Sequence, residues 1–159
     1  MAGNRIRVAK DKAALVKDLT ASDGKTGPFQ TYADVMVFAA ALGVKRQKRS
    51  PLKLISKREP GPIGLEIFVS RGYEVVIKLI AIAEIKDTKI LSSIDKESEE
   101  KRIYIFEEYA NGGLDILRNE LRGAVDYSER LLLILNNDRY KKKESTANEQ
   151  QEFDLSRFL

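Results

Sequence analysis

One run of residues constrains the fold more than any other, because it predicts a helix that must be enclosed. Residues 32–42 read YADVMVFAAAL and are almost entirely apolar. Thr31 is a typical N-cap, and Asp34 three residues later completes a capping box. A helix that is apolar around most of its circumference is buried by other elements. We expect this helix, ended by Gly43, to lie at the centre of the domain or at a contact between subunits.

The remaining periodicity is also mainly helical. Apolar residues recur at helical spacing after Lys10 and again over 73–86 and 103–121. Gly112 and Gly113 predict either a turn between two shorter helices or a close packing contact. Residues 5–8 alternate charged and apolar side chains, as a short strand or an extended arm does. We therefore expect a mainly α fold: a helical domain of five or six helices, with a short N-terminal strand or arm and a flexible C-terminal tail.

The residue inventory limits the chemistry. The chain contains no cysteine, no histidine and no tryptophan. Thiolate nucleophiles, imidazole bases and His/Cys zinc sites are therefore excluded. The carboxylates Glu107 and Glu108 are adjacent, so we expect them to be solvated helix surface. Composition favours a binding or assembly protein that is not an enzyme, and we predict no catalytic residue, no cofactor and no metal.

Nothing in the sequence predicts a membrane protein or a secreted one. The N-terminus begins with charged residues and offers no apolar signal segment. The longest apolar stretch, residues 75–85, is broken by Lys78 and Glu84 and is far shorter than the roughly 20 residues that cross a bilayer. We expect a cytoplasmic protein without membrane contact.

Charge is distributed unevenly along the chain. Residues 1–58 carry 13 Lys/Arg and 4 Asp/Glu, a net charge of +9, whereas residues 59–138 carry 10 and 16, a net charge of −6. We treat 1–138 as one helical domain with a basic first part and an acidic body, and 139–159 as a polar tail. The basic part could attract a polyanion. Alternatively, the two parts could neutralise each other within a folded oligomer.

The positive charge is densest in residues 45–58, which we name the basic segment. It contains seven cations and no acid, and Pro51 prevents it from forming one continuous helix. Cations in such a segment suit contacts with phosphate oxygens, which position a protein on nucleic acid without reading its sequence. The predicted nucleic-acid-binding residues, with two assisting arginines from the N-terminus, are Arg5, Arg7, Lys45, Arg46, Lys48, Arg49, Lys53, Lys57 and Arg58. The alternative is a solvated loop.

Two further features leave alternatives open. The N-terminal arginines followed by short helices follow the element order of a ribbon-helix-helix transcriptional regulator, although an edge strand with solvated arginines fits equally well. The tail is polar until it ends in FDLSRFL. That ending suits either a motif that docks on a partner protein or a terminus that packs on its own domain. The predicted partner-docking residues are Phe153, Leu155, Phe158 and Leu159.

Two blocks carry a family resemblance. GPFQTYADVMVFAAALG at residues 27–43, the basic stretch after it, and IFEEYANGGLDIL at residues 105–117 together resemble a small bacterial family associated with the Dnd system. The similarity covers roughly residues 5–135. Dnd genes encode DNA phosphorothioation, in which sulfur replaces a non-bridging phosphate oxygen, and they support antiviral defence alongside restriction-modification. More loosely, the basic N-terminal part followed by an apolar helix is similar to DndE, a small, helical, oligomeric DNA-binding component.

The resemblance implies a role in DNA modification or defence without catalysis. The favoured interpretation is a non-enzymatic accessory protein that binds double-stranded DNA through its phosphates, with other defence proteins and a homo-oligomer as further expected partners. One rival is an adaptor that contacts only protein and docks on a larger complex through its tail. The other rival is the ribbon-helix-helix regulator.

Overall fold

The computed structural model describes residues 4–21 and 27–152, and over these residues the mainly α prediction is confirmed. The described chain holds six α-helices, one pair of short strands and two 3₁₀ turns. In chain order these elements are β1 (Arg5–Ile6), a 3₁₀ turn (Lys10–Lys12), α1 (Ala13–Asp18), α2 (Tyr32–Lys45), β2 (Ile63–Gly64), α3 (Leu65–Ser70), α4 (Glu74–Ile85), a second 3₁₀ turn (Thr88–Leu91), α5 (Lys96–Glu120) and α6 (Tyr127–Glu152).

Helix α2 begins where the sequence predicts. The Thr31 side chain accepts a hydrogen bond from the Asp34 N–H at 3.2 Å, and the Asp34 carboxylate accepts one from the Thr31 N–H at 3.0 Å. The predicted end was wrong, because the helix passes through Gly43 and ends at Lys45. Gly43 lies against the carbonyl of Tyr109, where a side chain would clash. The glycine is there for close packing and does not terminate the helix.

Helix α5 is continuous through Gly112 and Gly113. The predicted close packing contact is therefore confirmed, and the alternative of a turn between two shorter helices is wrong. A Cβ on Gly113 would overlap the carbonyl group of Ala39, and one on Gly112 would overlap that of Lys48. The backbones of α2 and α5 therefore approach each other closely. Because α2 packs on α5 of the same chain, it forms the centre of the domain.

Apolar side chains from several helices complete the core around this pair. Phe68 of α3 meets Phe106 of α5 edge-on, with ring centroids 5.7 Å apart. Ile77 and Ile80 of α4 are also buried. Burial of each large apolar side chain contributes about 1.5–3 kcal/mol, which makes this packing the main source of stability.

The N-terminal residues are paired within the chain. Strands β1 and β2 run antiparallel, with Arg5 opposite Gly64 and Ile6 opposite Ile63. Beyond them Ala9 bridges Ile55 in the same sense. Residues 5–10 thus lie beside the part of the chain that includes the end of the basic segment. Ile6 and Val8 face inward and are fully buried.

The contacts divide the chain into two units, Met1–Arg122 and Gly123–Leu159. The second unit contains α6, a helix that continues to Glu152 through the first part of the polar tail. That stretch is rich in lysine, glutamate and glutamine, residues with good intrinsic helix propensity. The four predicted docking residues lie outside the described residues: Phe153, Leu155, Phe158 and Leu159.

Candidate functional site

Helix α5 carries acidic side chains on the face that meets the basic first part of the chain. Glu107 is 1% exposed and Glu108 is 5% exposed. The expectation that these two carboxylates are solvated surface was wrong. They lie in the middle of a helix that is covered on several sides, so adjacent positions are both buried. A buried carboxylate needs a charged or hydrogen-bonding partner, and both have an arginine.

Arg7 is the partner of Glu107. Its backbone N–H donates to Glu107 Oε2 at 2.6 Å, while its Nε and Nη2 donate to the two carboxylate oxygens at 2.9 and 3.0 Å. This bidentate geometry is the strong form of an arginine–carboxylate pair. The hydrogen bonding of its guanidinium to the Glu107 carboxylate is the main cause that raises the pKa of Arg7. Arg7 therefore anchors the N-terminal arm to α5.

Two arginines of the basic segment are held in the same way. Arg49 Nε donates to Glu108, and its Nη1 donates to Glu84 of α4 at 2.8 Å. Burial acts to lower the pKa of Arg49, but the hydrogen bonds and charges of these two glutamates outweigh it and raise that pKa. Arg46 pairs with Glu120 near the end of α5. Three of the predicted DNA-binding arginines, Arg7, Arg46 and Arg49, are thus neutralised within the fold.

Lys12 is a buried site residue that the sequence reasoning missed. It is 2% exposed, and its ammonium lies 2.8 Å from Asp115 Oδ1. It also donates to Asn111 at 3.1 Å and to Asp11 at 3.2 Å, so its three donors are satisfied. The available signal was the spacing of Asn111 and Asp115. Two polar residues four apart on a mostly buried helix face need a polar partner.

The loop backbone of the basic segment is fixed by the same helix. The Ser50 N–H donates to the carbonyl of Glu108 at 3.0 Å, and the Ser50 hydroxyl donates to Asp115 at 2.9 Å. The side-chain amide of Asn111 donates to the carbonyls of Ser50 and Pro51, both at 3.2 Å. The segment therefore follows α5 closely and is not an independent loop.

The nine predicted nucleic-acid-binding residues divide into two groups. Arg7, Arg46 and Arg49 are ion-paired with acids of the protein, and Lys45 is also engaged in an interaction. The other five are exposed and form no described ion pair with a carboxylate among residues 4–21 and 27–152. We name these five the exposed cation set: Arg5, Lys48, Lys53, Lys57 and Arg58.

Chain pairing places the N-terminal residues beside the stretch that carries part of this set. Arg5 lies on β1, and its guanidinium donates to the carbonyl of Pro62 at 3.3 Å. Because Ala9 bridges Ile55, residues 8–10 lie beside residues 54–56, close in sequence to Lys53, Lys57 and Arg58.

The paired strands also bear on the ribbon-helix-helix alternative. In such regulators, strands from two subunits form the ribbon that enters the DNA groove. Here β1 is paired with β2 of its own chain, and Arg7 just after it is bound by Glu107. The geometry gives this alternative no support.

Within the part of the chain that the structure describes, no group of three or more acidic side chains is arranged to hold a metal ion. None of the described helices combines the length and apolar character needed to cross a membrane.

The fold and the site define a helical protein whose basic segment is fastened to acids of its own helices, while four cations of that segment and Arg5 of β1 are exposed and form no described ion pair. The chain belongs to the family described as DNA sulphur modification system-associated protein 4, whose model matches residues 5–158. The resemblance to a Dnd-associated family is thereby confirmed, and the match extends beyond residue 135 into the tail. No curated protein and no solved structure matches the chain significantly.

Proposed function

We propose that this protein is a non-enzymatic, cytoplasmic accessory protein of the DNA sulphur modification system and of the antiviral defence linked to it. In this proposal it binds the phosphate backbone of double-stranded DNA through the exposed cation set. The paired arginines Arg7, Arg46 and Arg49 hold the binding surface in place and do not contact DNA.

The observation that carries this proposal is the division of the cations. Acids of the protein neutralise Arg7, Arg46 and Arg49, but Lys48, Lys53, Lys57 and Arg58 remain exposed over eleven residues with no described ion pair. A solvated group of like charges on a backbone fixed by α5 costs little to bring against a polyanion, because the loop is already ordered. Family membership supplies the DNA-linked context.

The experiment measures affinity for a random-sequence duplex by fluorescence anisotropy at low salt. We expect K48E/K57E/R58E to weaken binding by at least about a hundredfold, since three phosphate contacts become three repulsions. Thermal unfolding should be close to that of the wild type, because none of the three residues has a described ion-pair partner.

The matched control is K17E/K89E/K96E, which removes three exposed lysines elsewhere in the first unit. It changes the net charge by the same amount, so any difference between the two variants reports where the charges lie and not how many there are. Equal losses in both variants, or full affinity in K48E/K57E/R58E, would overturn the proposal.

Substituting the arginines of the basic segment would be an ambiguous test. Arg49→Glu would place a second carboxylate against Glu108, which is 5% exposed, and the buried charge would be left without a partner. Loss of a buried partner costs about 3–5 kcal/mol, enough to unfold many domains. Failure to bind DNA would then report loss of folding.

A second candidate, an adaptor for other proteins of the system, is favoured by a different observation. Several apolar side chains on α3 and α4 are exposed, among them Val75 at 61% and Leu79 at 60%. Exposed apolar residues grouped on neighbouring elements often mark protein contacts. We expect V75S/L79S to lose co-elution with proteins of the same system in size-exclusion chromatography. An adaptor without DNA contacts would lose nothing in K48E/K57E/R58E.

A further inference from the structure

A cavity of about 650 Å³ lies at the junction of three parts of the first unit. The 3₁₀ turn Lys10–Lys12 forms one wall, the beginning of the loop after Arg49 forms the second, and the C-terminal half of α5 forms the third. The volume falls within the roughly 300–1,000 Å³ that is typical of small-molecule sites. Among the residues that line the cavity, Lys53 alone belongs to the exposed cation set.

The walls of the cavity are preorganised. The Lys10 N–H donates to the carbonyl of Leu54 at 2.8 Å, which joins the first wall to the second. Asn111 on α5 donates to the carbonyls of Ser50 and Pro51, which joins the second wall to the third. A ligand would therefore meet a frame that is already ordered, and binding would not have to order it.

The cavity lining carries more positive than negative charge. It contains the four cations Lys10, Lys12, Lys53 and Arg118, against the two acids Asp11 and Asp115. Lys12 is 2% exposed and is saturated by Asp115, Asn111 and Asp11. The second positive charge near the acids is that of Arg118, which donates to Asp11 and Asp115 at 3.2 Å each.

Both acids stay ionised and engaged at neutral pH. Burial acts to raise the pKa of Asp115, but hydrogen bonds from Lys12 and Ser50 outweigh it and lower that pKa. Burial likewise acts to raise the pKa of Asp11, and Lys12 and Arg118 lower it overall. Each carboxylate is thus held by cations inside the lining. Two ammonium groups, those of Lys10 and Lys53, remain without a described partner at the rim.

We propose that this cavity binds the phosphate group of a nucleotide, with Lys10 and Lys53 as the charged donors and Arg118 as the third. Arg118 uses two of its five N–H donors in its bonds to the aspartates, and its side chain is 45% exposed. Pro51 and Leu54 form an apolar part of the lining, against which a sugar or base can lie. Leu54 is 69% exposed, so its side chain is accessible.

The experiment titrates three probes by calorimetry at low salt: deoxyadenosine 5′-monophosphate, a 5′-phosphorylated trinucleotide and inorganic phosphate. We expect saturable binding of an organic phosphate, weakened about tenfold in K10Q and further in K10Q/K53Q. A lost charge-assisted hydrogen bond is worth about an order of magnitude in affinity. Tighter binding of the trinucleotide identifies a strand end as the source, and tighter binding of the mononucleotide identifies a free nucleotide.

The control variant is K17Q/K89Q, which removes two exposed lysines outside the cavity and should leave the titration unchanged. Equal affinity for inorganic phosphate and for both organic probes would overturn the inference, as would wild-type affinity in K10Q/K53Q. Lys10 does not belong to the exposed cation set. If the duplex does not bind but K10Q weakens nucleotide binding, the proposed function alone is rejected. If the duplex binds but K10Q does not weaken nucleotide binding, the cavity proposal alone is rejected.

Discussion

Glu107 and Arg7 show how the burial of a single side chain determines which charges in this chain depend on a partner. The carboxylate is 1% exposed, whereas the guanidinium side chain is 45% exposed. The acid thus depends on its partner far more than the arginine does, because an unpaired buried charge is costly and a solvated one is not. The same asymmetry holds for Glu108 at 7% and Arg49 at 31% side-chain exposure.

Replacing Arg7 by glutamine should therefore destabilise the fold. We expect R7Q to lower the free energy of unfolding by about 2–3 kcal/mol, somewhat less than the loss of a fully buried pair, because water can reach the arginine side. Urea denaturation measures this change. The matched control is Arg5→Gln, two residues earlier, whose guanidinium contacts only the Pro62 carbonyl among the described residues. R5Q should stay within about 0.5 kcal/mol of the wild type; equal losses would contradict the argument.

Asp34 makes stability depend on pH. It caps α2, accepts from Tyr73 at 2.5 Å and pairs with Arg71 at 3.0 Å. Burial acts to raise the pKa of Asp34, but the hydrogen bonds from Tyr73, Thr31 and Arg71 outweigh it and lower that pKa. A carboxyl group whose pKa is lower in the folded state stabilises the protein fully above its unfolded pKa of about 3.9. That contribution disappears as the pH falls below this value.

Asp34→Asn should consequently reduce the acid sensitivity of the protein. We expect D34N to cost about 1–2 kcal/mol at pH 7, from the weakened cap and the lost charge. Between pH 7 and pH 3 it should then lose less unfolding free energy than the wild type. Urea titrations at both pH values provide the comparison, with the exposed cap Asp87→Asn as the control. An unchanged pH dependence in D34N would refute this assignment.

At the scale of elements, α5 organises the first unit. One face of this 25-residue helix packs on α2 through glycines. Its acids form ion pairs with Arg7, Lys12 and Arg49, which lie on three separate stretches of the basic first part of the chain. Glycine and alanine at the α2–α5 contact bring the two backbones together, so the carbonyls of α2 and the loop after it lie near α5. The position of the basic segment thus depends on how closely two helices approach.

Gly113→Ala tests this close approach, because the substitution raises stability if the helices are apart and lowers it if they are in contact. In an exposed helix, the replacement of glycine by alanine stabilises by about 1 kcal/mol. Here a methyl group would overlap the backbone of Ala39, so we expect G113A to destabilise by about 2–3 kcal/mol. Thermal or urea unfolding reports the change, with Lys101→Ala on the exposed side of the same helix as the control. A stabilised G113A protein would show that the helices are not in contact there.

At the scale of the whole molecule, the arrangement of charge matters more than its total. The formal net charge is only +4. Acids from α4 and α5 neutralise the arginines next to the helices, and the unpaired cations of the basic segment lie where the chain faces solvent. One of the two sequence interpretations was that the basic and acidic parts neutralise each other. It holds for Arg7, Arg46 and Arg49, within a single chain, and not for the exposed cation set.

If the exposed cation set binds DNA as proposed, the salt dependence of binding gives the number of cations that reach phosphate. Each neutralised phosphate contributes about −0.9 to the slope of log K against log salt. Five cations predict a slope of about −4.5, whereas all nine sequence-predicted residues would give about −8. Duplex titrations measure this slope between roughly 50 and 200 mM salt. A slope near −8 would mean that the ion-paired arginines exchange their carboxylates for DNA.

Local signals in the sequence were sufficient to identify α2, its capping box and the mainly helical class, because capping and helical periodicity depend on residues a few positions apart. The family resemblance likewise rested on two short blocks. The sequence could not show that Glu107 and Glu108 are buried, that Lys12 lies beneath Asp115, or that Gly43 lies inside a helix. Each of these depends on residues up to about a hundred positions away. Only packing of α2 on α5 brings those groups together, and burial then decides which charges are neutralised within the fold and which stay exposed to solvent.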